Sequence, residues 1–278
     1  MINIVAALPV EAKPIIQHFR LQKIQGNHSF TIFSNGDVEL IVSGVGAIAA
    51  ATATGYLAAR RGHQQVVAWL NIGIVGSLSR SVGDAVLAHS VTDVTNGQRY
   101  YPSLIFAPMC DTASVVTVPK PETSYDGESV FDMEASGFYA AATRFNSNEL
   151  IHCLKVVSDN QHNSVSNISE PLVKALITEQ MEKIDQLVNE MRALIEKLGE
   201  NAQATEDYRV IAKHFHFTVS QQLTLKSHIN HWYALTNHVL LSELIIENYR
   251  NAKALLAELQ RRLNTMPLSY IPTVRDNS

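Results

Sequence analysis

The amino-acid sequence predicts an α/β layer sandwich with a mostly parallel sheet, followed by an all-α C-terminal region. Strand candidates, helical segments and glycine turns alternate through residue 160, as in proteins built around a parallel sheet. After Asn163 the sequence contains little glycine and no strand candidate of comparable quality. Of the 278 residues, 46% are apolar and 17% are charged, which is typical of a soluble globular protein. We therefore expect an α/β domain over residues 1–165 and a helical domain over 166–278.

Most of the predicted strands lie in the first 120 residues. A buried strand begins at Ile2 and ends before Pro9, and a helix follows from Ala12 to Phe19. The sequence S-N-G-D at residues 34–37 is a strong hairpin signal between two short strands. An alanine-rich helix is predicted from Ala47 to about Arg60. Further strands are predicted at 30–33, 38–42, 66–72, 85–94 and 114–118.

The stretch from residue 130 to 159 brings acidic residues to one end of the predicted sheet. Asp132 and Glu134 open a segment with helical periodicity. Its apolar positions are Phe138, Ala141, Ala142 and Phe145. Leu154–Val157 reads as a strand covered on both faces. Ser158 and Asp159 follow at its carboxyl end, where open α/β sheets place their ligands.

Glu11 allows two interpretations at this stage. An acidic residue in the first turn of a helix stabilises the helix dipole without any other role. Because Glu11 also follows a predicted buried strand, its carboxylate is equally a candidate for the site at the carboxyl ends of the strands.

The glycine turns permit close approach of a backbone to a ligand or a helix. Residues 44–49 fit the dinucleotide pattern G-x-G-x-x-A. That pattern requires an acidic residue about twenty positions later, and the interval here reads R-R-G-H-Q-Q at 60–65. Close helix packing, or amides that face a small ligand, is therefore favoured over a dinucleotide cofactor. We expect Gly73 and Gly76 to form a similar turn after the next strand.

The C-terminal third carries a heptad pattern. Its apolar positions are Ile177, Met181, Ile184, Val188, Met191, Ile195 and Leu198. Gly199 is predicted to end this helix, and further helices are predicted over 207–236 and 240–263. Such a seam either packs on the same chain or forms a dimer, and we expect a homodimer or higher homo-oligomer.

Five histidines cluster in the same region. They are His214, His216, His228, His231 and His238. Aromatic residues are interleaved with them, and no H-E-x-x-H pattern or cysteine accompanies them. A partly buried aromatic surface or a partner-binding face is therefore favoured over a metal site.

Bulk properties exclude several classes of protein. The net charge of −4 does not favour nucleic acid or anionic membranes as partners. Two cysteines, Cys110 and Cys153, form no disulfide framework, and this favours a reducing, cytoplasmic location. We expect no signal peptide and no membrane span, since no apolar run reaches about 18 residues.

Several motifs in this order resemble one protein family. They are S-G-V-G at 43–46, N-I-G-I-V-G-S-L at 71–78, V-G-D-A-V-L-A-H-S-V-T-D at 82–93, Y-Y-P at 100–102, D-M-E-A at 132–135 and V-S-D at 157–159. Together they resemble the nucleoside phosphorylase superfamily, and within it the nucleosidases that act on methylthioadenosine, adenosylhomocysteine and related purine nucleosides. The resemblance covers residues 1–165 and implies a three-layer sandwich with a mixed, mostly parallel sheet.

The resemblance also implies roles for the acidic residues in cleaving an N-glycosidic bond. Asp159 resembles the acid that protonates the purine, and Glu11 resembles the residue that activates the attacking water. Glu134 resembles the carboxylate that binds the ribose hydroxyls, and Met133 would pack on the sugar. The remaining expected contacts to substrate or water are Gly73, Ile74, Ser158 and Lys155. The implied reaction is hydrolysis of an adenosine-type nucleoside, with neither a metal nor an organic cofactor.

Two departures from the family pattern bear on turnover. Ile74 stands where related proteins usually have a small or hydroxyl residue, and Lys155 stands where they often have arginine. Both positions usually help to hold the nucleophile, so a nucleoside-binding or partner-recruiting protein with weak catalysis is one alternative. The segment from 93 to 132 is also shorter than usual, and within it only 118–120 is a candidate for stacking on the base.

Phosphorolysis is the other alternative. The sequence has no convincing arginine set for a bound phosphate, which favours water as the nucleophile. Arg80 and Arg99 are the candidates that keep phosphorolysis open.

Overall fold

The computed structural model describes residues 1–26, 28–61, 66–121, 127–236 and 249–265. The chain divides into two compact units, Met1–Ile195 and Glu196–Ser278. That residues 1–165 and residues 166–278 fold as separate domains stays a prediction. No described helix combines the length and the apolar character that crossing a membrane requires.

One mixed sheet organises the first unit. Its strands are β1 (Ile2–Ala6), β2 (Gln22–Lys23), β3 (Thr31–Ser34), β4 (Val38–Val42), β5 (Ala68–Ser77), β6 (Ala85–Asp93), β7 (Arg99–Tyr100), β8 (Asp111–Thr117), β9 (Val130–Asp132) and β10 (Ile151–Asp159). The order across the sheet is β10-β6-β8-β9-β5-β1-β4-β3-β2, and β7 pairs with β6. Strands β4, β1, β5 and β10 pair in parallel, so their carboxyl ends meet at one edge.

Strand β5 is the centre of the arrangement because it also pairs with β9 and β10. Residues Ala68–Asn71 pair with β1, Trp69–Gly76 pair with β10, and Gly76–Ser77 pair with β9. Strands β5, β10, β6, β8 and β9 therefore close into a ring. This closure brings the ends of β5, β9 and β10 close together.

Helices cover the sheet on two sides, as the predicted three-layer fold requires. The described helices of the first unit are α1 (Pro9–His18), α2 (Ala47–Arg61), α3 (Ala135–Ala142) and α4 (Glu170–Glu179), and α5 (Met181–His214) continues from it into the second unit. The second unit also contains α6 (Val219–Thr236) and α7 (Ala252–Thr265). Helices α2 and α3 pack on each other and share a core cluster with the sheet through Leu57, Phe138 and Trp69. Helix α1 packs on α4, and these two contact β1, β4, β5 and β10. The α/β fold class predicted from the sequence is confirmed.

The hairpin at residues 34–37 is confirmed by the antiparallel pairing of β3 with β4. The helix predicted to open at Asp132 begins later, because Asp132 ends β9 and Glu134 precedes α3. Phe145, predicted on the apolar face of that helix, lies beyond its end and is 42% exposed. These shifts make Asp132 a strand residue rather than a helix residue.

The heptad positions pack inside a single chain. Ile184, Val188 and Met191 of α5 are fully buried, and Arg192 on the same helix is 2.6 Å from the carboxylate of Asp37. The prediction that this helix ends at Gly199 is wrong, since α5 continues to His214. The predicted seam is therefore used, at these positions, for packing within the chain.

The second unit has its own apolar core. Residues of α5, α6 and α7 form it: Ile211, Leu225, Ile229, Trp232, Leu255 and Leu259. The predicted helix over 207–236 is interrupted, because α5 ends at His214 and α6 begins at Val219. Helix α7 occupies the C-terminal part of the predicted helix 240–263, whose residues 240–248 lie outside the described residues.

Candidate active site

A pocket of about 260 Å³ lies at the carboxyl ends of the parallel strands. Glu11, Glu134 and Asp159 all line it, so the three carboxylates predicted for the site share one cavity. Most of its wall is apolar, formed by Ala7, Leu8, Val45, Ile74, Val75, Val118, Pro121, Phe131, Met133, Val165 and Ile168. Gly76, Ser158 and a fourth carboxylate residue, Asp132, also contribute to the wall. Such a cavity, apolar with a few convergent polar groups, is typical of a small-molecule site.

Glu11 lies in the first turn of α1 and accepts two backbone hydrogen bonds. Its Oε2 accepts from the amide of Leu8 at 2.8 Å, and its Oε1 accepts from the amide of Ile74 at 3.1 Å. Burial raises the pKa of Glu11 to about 6, although the Leu8 amide and the Lys155 ammonium act in the opposite direction. Glu11 thus caps its own helix and also reaches the strand that forms the pocket wall.

Gly73 makes room for Glu11. A Cβ atom at this position would lie 3.0 Å from Oε1 of Glu11, closer than side chains normally approach. Gly73 does not line the pocket itself, so the close approach that its lack of a side chain permits is that of the Glu11 carboxylate.

Lys155 lies behind the pocket wall rather than in it. Its ammonium is 2.8 Å from Oδ2 of Asp132, and the two side chains are 1% and 0% exposed. Burial lowers the pKa of Lys155, but the carboxylates of Asp132 and Glu134 outweigh burial and raise it above its ordinary value. Lys155 therefore stays charged and supplies positive potential to the acidic site.

Glu134 is oriented by the glycine turn before α2. Its Oε1 accepts a hydrogen bond of 2.8 Å from the amide of Gly46, a residue with a φ of 105° that favours glycine. Burial raises the pKa of Glu134, and Lys155 opposes this shift. The Gly46 amide, which a dinucleotide site would direct at a phosphate, is thus committed to a carboxylate of the chain.

Asp159 ends β10, and its neighbour Ser158 orients it. The hydroxyl of Ser158 donates to Oδ1 of Asp159 at 2.6 Å and is also 3.2 Å from the carbonyl oxygen of Val75. Burial raises the pKa of Asp159 to about 6. A carboxyl group with such a pKa carries a proton on about half of the molecules at pH 6 and on about a tenth of them at pH 7.

Asp132 and Thr117 were not among the predicted site residues. The sequence predicts Asp132 only as the start of a helix, and Thr117 lies in a predicted strand with no polar motif around it. The hydroxyl of Thr117 donates to Oδ1 of Asp132 at 2.7 Å, and Asp132 in turn binds Lys155. Only the register of β8 with β9 shows that Thr117 and Asp132 are neighbours.

The sequence also gives no signal for Val165 and Ile168, which line the pocket from a short 3-10 helix (Val165–Asn167) and the residue after it, between β10 and α4. Of the stacking candidates at 118–120, Val118 lines the pocket.

The phosphate candidates lie elsewhere. The guanidinium of Arg80 binds Asp111 at 3.3 Å and the carbonyl oxygen of Thr112 at 3.2 Å. Arg99 belongs to β7, where it pairs with Thr92. Neither arginine lines the pocket, and none of the described lining residues is an arginine or a lysine.

The histidines form no metal site in the described part of the chain, where no group of three metal-ligating side chains is found. His228 instead lies 2.9 Å from the side-chain oxygen of Gln260 and belongs to the packed second unit. His238 lies outside the described residues.

The arrangement of sheet and helices is similar to the α/β fold of several solved nucleosidases. The structure matches the 5′-methylthioadenosine/S-adenosylhomocysteine nucleosidase of S. pneumoniae with a TM-score of 0.54 and 20% identity, over 69% of this chain and 99% of that one. It matches the 5′-methylthioadenosine nucleosidase of Arabidopsis thaliana with a TM-score of 0.57 and 14% identity, over 68% and 95% of the two chains.

A third solved structure, the futalosine hydrolase of Helicobacter pylori, matches with a TM-score of 0.54 and 16% identity, over 68% of this chain and 97% of that one. At these identities the similarity establishes the fold. No known family model matches the sequence, and no curated protein matches it.

Proposed function

We propose that this protein hydrolyses the N-glycosidic bond of an adenosine-type purine nucleoside, releasing the free base and a ribose derivative. The observation that carries the proposal is the convergence of Glu11, Glu134 and Asp159 on one largely apolar pocket. The nucleosidase neighbours, which include proteins named for methylthioadenosine, support a substrate of this class.

The reaction needs a proton donor, a proton acceptor and a site for a cation-like sugar. The bond between C1′ and the base nitrogen breaks, and its electron pair leaves with the base. The oxygen of water then bonds to C1′, which carries positive charge in the transition state. One proton goes to the base, and one proton leaves the water.

We assign Asp159 as the acid and Glu11 as the base. Burying a purine against Asp159 desolvates its carboxyl group further, so the protonated form that donates to the base is favoured. Glu11 accepts two backbone N–H bonds, which favour its ionised form and leave it able to take a proton from water. Glu134 would bind the ribose hydroxyls, and Met133 would pack on the sugar.

The lack of cationic side chains among the described residues of the pocket wall favours hydrolysis over phosphorolysis. A bound phosphate needs cationic or amide donors, and the described lining residues include no arginine or lysine. Arg80 already binds Asp111 and Thr112. Water is therefore the nucleophile that this pocket accommodates best.

A second candidate function is nucleoside binding without efficient turnover. The residue at the position next to Gly73 is Ile74, which presents a hydrocarbon side chain to the pocket rather than a hydroxyl that could hold water. In addition, the Lys155 ammonium is engaged by Asp132. Both observations favour a protein that recognises a nucleoside and cleaves it slowly, or recruits a partner in response to it.

The free thiols of Cys110 and Cys153 support a reducing compartment, and we place the protein in the cytoplasm on that ground.

The deciding experiment is to incubate the protein with methylthioadenosine, adenosylhomocysteine, adenosine and inosine, with and without phosphate, and to quantify the free base. We expect release that does not depend on phosphate, and a loss of at least about 100-fold in kcat for Asp159→Asn and Glu11→Gln. Asp111→Asn, which neutralises an exposed carboxylate, is the matched control.

Each other outcome has a defined meaning. Phosphate-dependent release would assign phosphorolysis, and tight nucleoside binding without release would assign the binding function. Release that survives Asp159→Asn unchanged would refute the assigned roles.

A further inference from the structure

Lys155 and Asp132 form a buried ion pair that has no direct part in the proposed hydrolysis by Glu11 and Asp159. Its ammonium and carboxylate are 2.8 Å apart and almost fully shielded from solvent. Burying an ion pair contributes little net stability, because desolvation offsets the attraction between the charges. The position of the pair therefore points to an effect on the charged groups next to it.

Asp132 is held in one orientation by neutral donors. The Thr117 hydroxyl donates to Oδ1 at 2.7 Å, and the Ala135 amide donates to Oδ2 at 2.8 Å. Thr117 is itself fixed, since its oxygen accepts from the amide of Ser136 at 2.9 Å. Because neutral donors bind both carboxylate oxygens, the Asp132 side chain is held in one orientation. Its Oδ2 therefore binds the Lys155 ammonium at one fixed position.

Lys155 faces the proposed catalytic base at the same time. A Cβ atom on Gly73 would lie 3.0 Å from Oε1 of Glu11 and 3.7 Å from Nζ of Lys155, so both groups converge on this glycine. The ionisable groups that act on Lys155 are Asp132 and Glu134 around the end of β9, and the Cys153 thiol on its own strand. The single ammonium of Lys155 therefore acts electrostatically on the carboxylates of Glu11, Asp132 and Glu134.

We infer that Asp132 is a positioning residue for Glu11, because with Thr117 it holds the Lys155 ammonium beside Glu11 and limits how fully that charge neutralises it. An unrestrained ammonium would pair closely with Glu11 and make it a poor base. No ammonium at all would leave Glu11 protonated by burial. Burial on one side, and Lys155 with the backbone donors on the other, together raise the pKa of Glu11 to about 6. The inference rests on the proposed function, since it assigns Glu11 as the base.

The test is a titration of the Glu11 carboxyl carbon by NMR in protein labelled with 13C-glutamate, with the signal assigned through Glu11→Gln. In Asp132→Asn the ammonium is released toward Glu11, and we expect the pKa of Glu11 to fall by about one unit. In Lys155→Met the cation is lost, and we expect the pKa to rise by about one unit. Asp111→Asn, at an exposed site, leaves the titration unchanged.

The double variant determines whether Asp132 acts through Lys155. When Lys155→Met is already present, adding Asp132→Asn should leave the pKa of Glu11 where Lys155→Met alone puts it. A direct effect of Asp132 on Glu11 would lower that pKa in both backgrounds and would overturn the inference. An unshifted Glu11 in Asp132→Asn would overturn it as well.

The inference can still be tested if one of the variants does not fold. If Asp132→Asn does not fold, the double variant, which buries neither charge of the pair, is compared with Lys155→Arg, which keeps the cation. We expect Glu11 to titrate about one unit higher in the double variant, and equal values would refute the inference.

This titration needs no substrate, so it gives a result even if no nucleoside is cleaved and the proposed function fails. Where turnover is found, the acid limb of kcat/KM should move with the Glu11 titration. A one-unit rise in Lys155→Met would reduce the relative rate at pH 6 by about fivefold, since the ionised fraction of Glu11 falls from a half to about a tenth.

Discussion

A Cβ atom on Gly137 of α3 would lie 1.8 Å from the carbonyl oxygen of Ala47 at the start of α2. The two helices therefore touch backbone to backbone, which only glycine allows at this position. Gly137 follows Glu134 by one helical turn, and Ala47 follows Gly46, the residue whose amide binds Glu134 at 2.8 Å. The contact thus helps to set how close the Glu134 carboxylate comes to the Gly46 amide.

Replacing Gly137 by alanine should force α2 and α3 apart. We expect Gly137→Ala to lower the free energy of unfolding by about 3 kcal/mol or more, since the clash is with backbone. Urea denaturation measures the change. Gly55→Ala in α2 is the control, because a Cβ there meets no atom within 4 Å, and it should stabilise by up to about 1 kcal/mol. Equal effects of the two substitutions would contradict the close packing of the helices.

Asp159 should cost stability at neutral pH. Its pKa is raised in the folded protein from 3.8 to about 6, so the folded state binds more protons than the unfolded state between these values. Stability therefore falls as pH rises from about 4 through 6. The full shift corresponds to at most about 3 kcal/mol, and screening by solvent at the pocket reduces the expected gain of Asp159→Asn to about 1 kcal/mol at pH 7.5. The gain should vanish below pH 4.

Unfolding by urea at pH 4, 5.5 and 7.5 tests this dependence. Asp111→Asn should show no comparable gain, because the carboxylate of Asp111 is 82% exposed. If the gain for Asp159→Asn is the same at all three pH values, its cause is not the removal of a buried ionised carboxylate.

Ile74 is expected to limit turnover. Its amide binds Glu11 through the backbone, so a substitution of the side chain leaves that hydrogen bond in place. Ile74→Ser adds a hydroxyl beside the proposed path of the water. We expect kcat to rise by about tenfold, the equivalent of one transition-state hydrogen bond. Ile74→Val keeps an apolar surface and should not raise kcat, and a similar rise in both variants would attribute the effect to space alone.

The heptad residues should stabilise the single chain. Met191 is fully buried, so Met191→Ala should cost about 2–5 kcal/mol. Its neighbour Glu190 is exposed, and Glu190→Ala should change stability by less than about 0.5 kcal/mol. Light scattering should show the same molar mass for Met191→Ala and the original protein. A change in mass would instead assign this surface to the homo-oligomer that the heptad pattern predicts.

The local parts of the fold could be predicted from sequence because short-range rules determine them. The S-N-G-D hairpin, the alanine-rich α2 and the buried run at β10 each follow from spacing within about ten residues. Gly199 was misread because glycine is only mildly unfavourable inside a helix, by about 1 kcal/mol, and the flanking residues continue α5 through it.

The residues of the candidate site also fall into those that local sequence signals predict and those that they do not. Glu134 and Asp159 belong to recognisable motifs and Glu11 follows the first predicted strand, and the structure brings all three to one pocket. The partners of these residues depend on strand register, which spacing along the chain does not reveal. Pairing of β8 with β9 brings Thr117 to Asp132, and pairing of β5 with both β9 and β10 places Lys155 behind Gly73.

The two hydrogen bonds of Glu11 differ greatly in sequence separation. The donor Leu8 is three residues away, whereas the donor Ile74 is 63 residues away. The first bond can form with an isolated turn of helix, but the second requires β1 and β5 to have paired. Contacts of high sequence separation form late because chain closure must precede them. Recovery of catalytic activity after dilution from denaturant should therefore lag behind recovery of helical circular dichroism, and partly folded chains should be inactive even when α1 is already formed.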